Sequence, residues 1–125
     1  MSAKHNDLVR EIRLYLSKVG ILSIDTPTPG LLFTKDGRPV KSTGKGKLDL
    51  HACAPIKRGG QTYGIFLAID AKIGKDKLHN DQLNYARAVE RHGGIAFAAY
   101  SVEDVKNILI LKGVLNDDET LSCGG

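Results

Sequence analysis

Apolar residues recur along this chain in two periods, and the places where the period changes mark its elements. Leu8, Ile12, Tyr15, Leu16 and Val19 fall at helical spacing. Asn6 or Asp7 can cap that run and Gly20 can stop it, which predicts a helix over about 7–19. Ile21–Ile24 reads as a short extended piece before Pro27, Pro29 and Gly30 break the chain. Leu31–Thr34 reads as a strand, Lys35-Asp36-Gly37-Arg38-Pro39 as a turn, and Lys41–Lys47 as a flexible basic loop. Leu48–Ala54 and Thr62–Lys72 read as strands joined across 55–61, with Gly59-Gly60 turning the chain. Thr62–Lys72 is the most apolar stretch and should be central in a sheet. Helical spacing returns over about 80–92 and ends at Gly93-Gly94. Ile95–Tyr100 reads as a further buried strand. Ser101-Val102-Glu103-Asp104 resembles a capping box that opens a last helix over about 102–111.

The order of elements is α-β-β-β-α-β-α, which implies an α/β fold with a central mixed sheet flanked by helices. A helix joining two buried strands implies a parallel crossover between them. At 125 residues the chain is read as one domain over 1–112, followed by a C-terminal tail over 113–125. No run of apolar residues is long enough to span a bilayer, and the amino terminus lacks the pattern of a signal peptide. Cys53 and Cys123 stand far apart without a C-x-x-C partner, which argues against a zinc site or a disulfide framework. A reducing, cytoplasmic setting is therefore expected, with no membrane association.

The net charge of +4 is modest, but its distribution is uneven. Residues 35–77 hold ten Lys/Arg against four Asp, whereas the tail carries only Asp117, Asp118 and Glu119. A basic middle suits a polyanion such as nucleic acid, and it equally suits a solvated surface.

The hairpin sharpens this picture. If Gly59 and Gly60 occupy the two central positions of a tight turn, Asp49 faces Asp70. Directly opposed side chains have Cβ atoms ~5 Å apart, and like charges there are destabilising. At an effective dielectric near 20, two carboxylates ~4 Å apart repel by roughly 4 kcal/mol. A divalent cation between them, or a buried lysine or arginine, would compensate. Lys72 shares a face with Asp70 by the strand period, so two acids and one ammonium converge. Hard cations such as Mg²⁺ accept such oxygens, lower the pKa of a bound water and stabilise charge on a phosphoryl oxygen. The plainer alternative is an ion-pair rim in which Lys72 neutralises two strand-end acids. A bulge at Pro55 would shift the register and move the acids apart.

Other motifs carry less. Ser42-Thr43-Gly44-Lys45-Gly46-Lys47 lacks the P-loop spacing and precedes a strand rather than a helix. Lys45, Lys47, Lys75 and Lys77 are candidate phosphate contacts, giving salt-sensitive affinity without sequence preference. His5, His51, His79 and His92 form no metal-binding spacing, although His51 shares a strand face with Asp49.

The ordered pattern Gly46-Lys47-Leu48-Asp49, an apolar strand ending Asp70-Ala71-Lys72, a basic loop, Gln82 opening a helix, and Gly93-Gly94-Ile95-Ala96 before Ser101-Val102-Glu103-Asp104 resembles the VRR-NUC family. That family belongs to the PD-(D/E)-x-K nucleases, and the similarity covers roughly residues 7–110. The resemblance implies a restriction-endonuclease-like αβββαβ core and Mg²⁺ or Mn²⁺ as cofactor, with no organic cofactor. It implies metal ligation by Asp49, Asp70 and the carbonyl of Ala71, with Lys72 positioning or activating water. Gln82 would support the lysine or contact phosphate, and Glu11 on the first helix matches an acid that completes related sites. Two departures stand out: Asp70 replaces the usual Glu, and Lys47-Leu48 precedes Asp49 where many relatives carry proline.

The resemblance implies a metal-dependent DNA endonuclease, selective for branched or flapped duplexes as Holliday-junction resolvases are, and a homodimer. A non-catalytic nucleic-acid-binding module that retains the fold is the alternative, and a domain whose acids form only an ion-pair rim is the third.

Overall fold

A computed structural model describes residues 3–24, 31–33, 35–41 and 47–116. Among them the elements are α1 (Ala3–Lys18), β1 (Leu22–Ile24), β2 (Leu31–Phe33), β3 (Pro39–Lys41), β4 (Leu50–Arg58), β5 (Gln61–Ala71), α2 (Asn80–Arg91), β6 (Ile95–Ala99) and α3 (Val102–Leu111). The architecture is mixed α/β: four strands in the order β1-β4-β5-β6 form one sheet, and β2-β3 form a separate pair.

The long hairpin sets the register of the sheet. Arg58 pairs with Gln61 across the Gly59-Gly60 turn, and the ladder runs unbroken to Leu50 opposite Ile69. Pro55 pairs with Gly64 within that ladder and introduces no bulge. β6 joins β5 in parallel, Leu67 beside Ile95 through Ala71 beside Ala99, so α2 is the crossover that the order of elements requires.

Alternation along the strands gives the sheet two different faces. On one, Leu50, Ala52, Leu67, Ile69, Ala71 and Ala99 form the core with Leu8, Ile12 and Leu16 of α1 and Val105 and Leu109 of α3. The other carries His51, Ala68, Asp70 and Lys72, and α2 packs against β5 and β6 there.

Several sequence expectations are corrected. The third sheet strand is β1, antiparallel to β4, because the strand at 31–33 pairs with Pro39–Lys41 in the separate pair. Propensity locates a strand but does not choose its partner. β4 continues to Arg58 instead of ending at Ala54, and the turn contracts to two residues. α1 begins at Ala3, four residues before the expected start at about 7, which brings His5 into the helix. The packed chain also extends beyond 112: Val114 and Leu115 are buried in the core, and their amides donate to Leu109 O at 2.8 and 3.2 Å. The acidic stretch 117–119 and Cys123 lie outside the described residues.

No helix among the described residues is long and apolar enough to cross a membrane.

Candidate functional site

The hairpin places Asp49 immediately before β4 and Asp70 near the end of β5, one step beyond the Leu50–Ile69 pair. Each carboxylate accepts from the other strand's backbone. Asp49 N donates to Asp70 Oδ1 at 3.1 Å, and Ala71 N donates to Asp49 Oδ2 at 2.9 Å. Two opposed acids are thus tied to the ends of two adjacent strands, in the register expected from the turn.

Lys72 completes the cluster. Its Nζ lies 2.9 Å from Asp70 Oδ2 and 3.7 Å from Asp76 Oδ2, and donates to Gln82 Oε1 at 3.1 Å. Asp70 is 2 % exposed and Lys72 6 %, so this is a buried pair and not a surface one. Gln82 occupies the first turn of α2, where its Oε1 also accepts from His79 N at 3.0 Å. One amide therefore closes the start of the helix and orients the lysine. Asp76 is placed from the far side, where Tyr100 Oη donates to its carbonyl.

Titration follows from this packing. Burial pushes the Asp70 carboxyl above its ordinary value; the hydrogen bond from Lys72 opposes that, and the Asp49 charge reinforces it. Burial pulls Lys72 down, but its hydrogen bond to Asp70 and the charges of Asp70, Asp76 and Asp49 outweigh it, leaving the ammonium above its ordinary value.

Asp49, Asp70, Ala71, Lys72 and Gln82 are therefore brought together. Glu11 is not: it is exposed on α1, while its neighbour Ile12 enters the core. The helix reaches the site through His5 instead, whose Nε2 donates to Asp49 Oδ2 at 3.0 Å. His5 precedes Leu8 by three residues and Ile12 by seven, so it continues the buried stripe, whereas Glu11 is turned about 100° from Ile12. A helix starting at Asp7 leaves His5 outside it, which is why the sequence reading missed this contact. Asp76 was missed as well.

Lys47 is half-buried beside the cluster, Lys75 and Lys77 are exposed in the loop before α2, and Lys45 lies outside the described residues. His51 is 3 % exposed, shares a hydrogen bond of 2.8 Å with Tyr85 Oη, and stacks on Phe66 with ring centroids 5.3 Å apart. Burial first, and then the charge of Lys47, hold its imidazole below the ordinary value. It is a packed histidine on the site's face of the sheet.

The compensation that two opposed acids demand is met here by Lys72, His5 and two backbone amides. Among the described residues, no group of three or more His, Cys, Asp or Glu side chains is arranged to hold a metal ion. The two carboxylates offer oxygens of the kind that hard divalent cations take, and three of the four already accept from Asp49 N, Ala71 N, His5 or Lys72. Comparison with protein-family models, curated proteins and solved structures gave no match.

Proposed function

We propose that this chain is a metal-dependent nuclease related to the VRR-NUC family, acting on DNA phosphodiesters through Asp49, Asp70 and Lys72. The observation that carries this reading is the buried Asp70–Lys72 pair, set opposite Asp49 by the hairpin and oriented by Gln82 from the start of α2. The path of the chain supports it: with the β2-β3 pair set aside as an insertion, the sheet and its helices follow αβββαβ, the order of a restriction-endonuclease-like core.

Asp49 and Asp70 would hold Mg²⁺ or Mn²⁺, with the carbonyl of Ala71 as a further ligand. When bound, the ion supplies charge stabilisation at the phosphoryl oxygens and acidifies water. The acids around Lys72 hold its ammonium above the ordinary value, which suits a cationic donor that holds a phosphate oxygen or the attacking water. Gln82 and Asp76 are positioning residues that fix the direction of that donor. His5 holds Asp49 from α1, the helix on which the resemblance places Glu11 as an acid completing the site. Water attacks phosphorus, the bond to the 3′-oxygen breaks, and the products are a 5′-phosphate and a 3′-hydroxyl. Lys47, Lys75 and Lys77 would contact backbone phosphates on either side. One site cuts one strand, so symmetrical cutting of a branched substrate requires two copies of the chain.

A second reading, a binding module with little catalysis, is favoured by one feature. With Glu11 facing solvent and Asp70 one methylene shorter than the usual Glu, the acid set is small. One experiment separates the two. The protein is incubated with linear, flapped and four-way-junction DNA in Mg²⁺, Mn²⁺ or EDTA. Metal-dependent cutting that is abolished in Asp70→Ala and Lys72→Ala establishes the nuclease. Binding without cutting establishes the module, and neither outcome leaves an ion-pair rim.

A further inference from the structure

The outer part of the β4–β5 hairpin reaches past the rest of the sheet. β6 pairs with β5 only across Leu67–Ala71, and β1 pairs with β4 only across His51–Cys53. Farther out, among the described residues, the two strands pair only with each other as far as Arg58 and Gln61, and residues 57–64 are all exposed. Gly59 and Gly60 hold φ of 57° and 81°, so the turn is a tight one that adds no bulk to the tip. The tip carries Lys57 and Arg58, and Asp70 is the sole acid in β4 or β5.

We propose that this basic tip is a second DNA contact, inserted in a groove of the duplex about one helical turn from the phosphate addressed by Asp49 and Asp70. The proposal rests on the nuclease reading above. Its spacing follows from the strand: ten residues separate Gly60 from Asp70, and at ~3.3 Å each they span ~33 Å. One turn of B-form DNA is ~34–36 Å, so contacts at the tip and at the acids meet the same side of one duplex. A two-stranded ribbon is narrow enough for the major groove. Lys57 pairs with Thr62 and shares the face of Asp70, while Arg58 pairs with Gln61 and points to the other face. An inserted ribbon thereby offers one cation to each phosphate-lined wall. A second copy of the chain is the poorer occupant, because two such tips repel.

The test is equilibrium binding in EDTA, which prevents cutting, to duplexes of about 8 and about 20 bp, shorter and longer than one ~10-bp turn. The wild type and a Lys57→Ala/Arg58→Ala variant are compared across a salt series, with thermal melts to verify the fold. On the long duplex the variant is expected to bind about tenfold more weakly, with a salt slope shallower by ~1.8, or 0.9 for each lost phosphate contact. On the short duplex, which cannot span both contacts, wild type and variant should coincide. Equal losses on both lengths, or none on either, overturn the proposal, as does a variant whose change lies in self-association and not in DNA affinity. A charge-reversed Lys57→Glu/Arg58→Glu variant must deepen the loss on the long duplex alone. Binding without this length dependence, or failure of the wild type to bind either duplex, removes the ribbon contact alone; the nuclease reading stands or falls separately, on the metal-dependent cutting assay above.

Discussion

Lys72 is the residue on which the site's electrostatics turn. Its ammonium is shared among Asp70, Asp76 and Gln82, and Asp70 has almost no contact with solvent. Replacing Lys72 by methionine keeps the apolar stem and removes the charge, leaving a buried carboxylate without its cation. Breaking such a pair costs ~3–5 kcal/mol when the remaining ion cannot neutralise itself, and Asp70 can do so by taking up a proton. The expected loss is therefore about 2 kcal/mol at neutral pH, shrinking as the pH falls and Asp70, held above its ordinary value by burial, takes up a proton. Urea melts in EDTA at several pH values measure this, and a pH-independent penalty would show that Asp70 stays charged. A second prediction separates two residues of α1. His5→Ala removes the donor that orients Asp49 and should lower cutting about tenfold or more, as loss of a supporting partner does in metal sites. Glu11→Ala, on the exposed side of the same helix, should leave cutting within about twofold, since the α1 contact to Asp49 runs through His5.

Among the elements, the docking of α2 onto the sheet carries Gln82 to Lys72, and it depends on close approach at the helix's exit. A Cβ on Gly94 would lie 2.7 Å from Val89 Cγ1 and 2.9 Å from Phe66 O. The valine can adjust its rotamer, but the carbonyl belongs to the β5 backbone and cannot move without disturbing the ladder. Gly94→Ala should cost about 1–3 kcal/mol, read as a lowered melting temperature. Cutting should fall further than that loss explains, because Gln82 shifts with the helix. The same elements show what could be read in the sequence. Hairpin arithmetic put Asp49 opposite Asp70 because a two-residue turn and a period of two set the register, and Pro55 introduces no bulge to shift it. The helix at 102–111 and the parallel crossover were legible for the same reason: both follow from local pattern or from connection length. The partner of β1, the pairing of β2 with β3, and the start of α1 were not legible. The first two are choices among distant segments that strand propensity cannot rank. The third turns on Asn6 and Asp7, which read as caps although the helix already runs through them from Ala3. His5 was lost with that boundary, and Asp76 was lost because its nearness to Lys72 depends on the course of a loop.

For the molecule as a whole, the buried titratable groups set a limit on the alkaline side. Tyr85 is held above its ordinary value of 10.0 by burial, and Lys72 is raised above 10.5 by its acidic partners despite its own burial. In the unfolded chain both groups release their protons near those ordinary values, while the folded chain retains them. The folded state thus binds more protons over this window, and stability must fall as the pH rises through it. The two effects have one sign, and each contributes at most ~1.4 kcal/mol per pH unit, for a combined slope of up to ~2.7. Tyr85→Phe keeps the ring beside His51, removes one titrating group, and should about halve that slope, even though it also removes the hydrogen bond to His51 and so lowers stability at every pH. Urea melts in EDTA between about pH 9 and about pH 12 separate the two consequences, since the lost bond shifts the whole curve and the lost proton changes its steepness. An unchanged slope in Tyr85→Phe would mean that the phenol titrates alike in the folded and unfolded chains, and the alkaline limit would then fall to Lys72 alone.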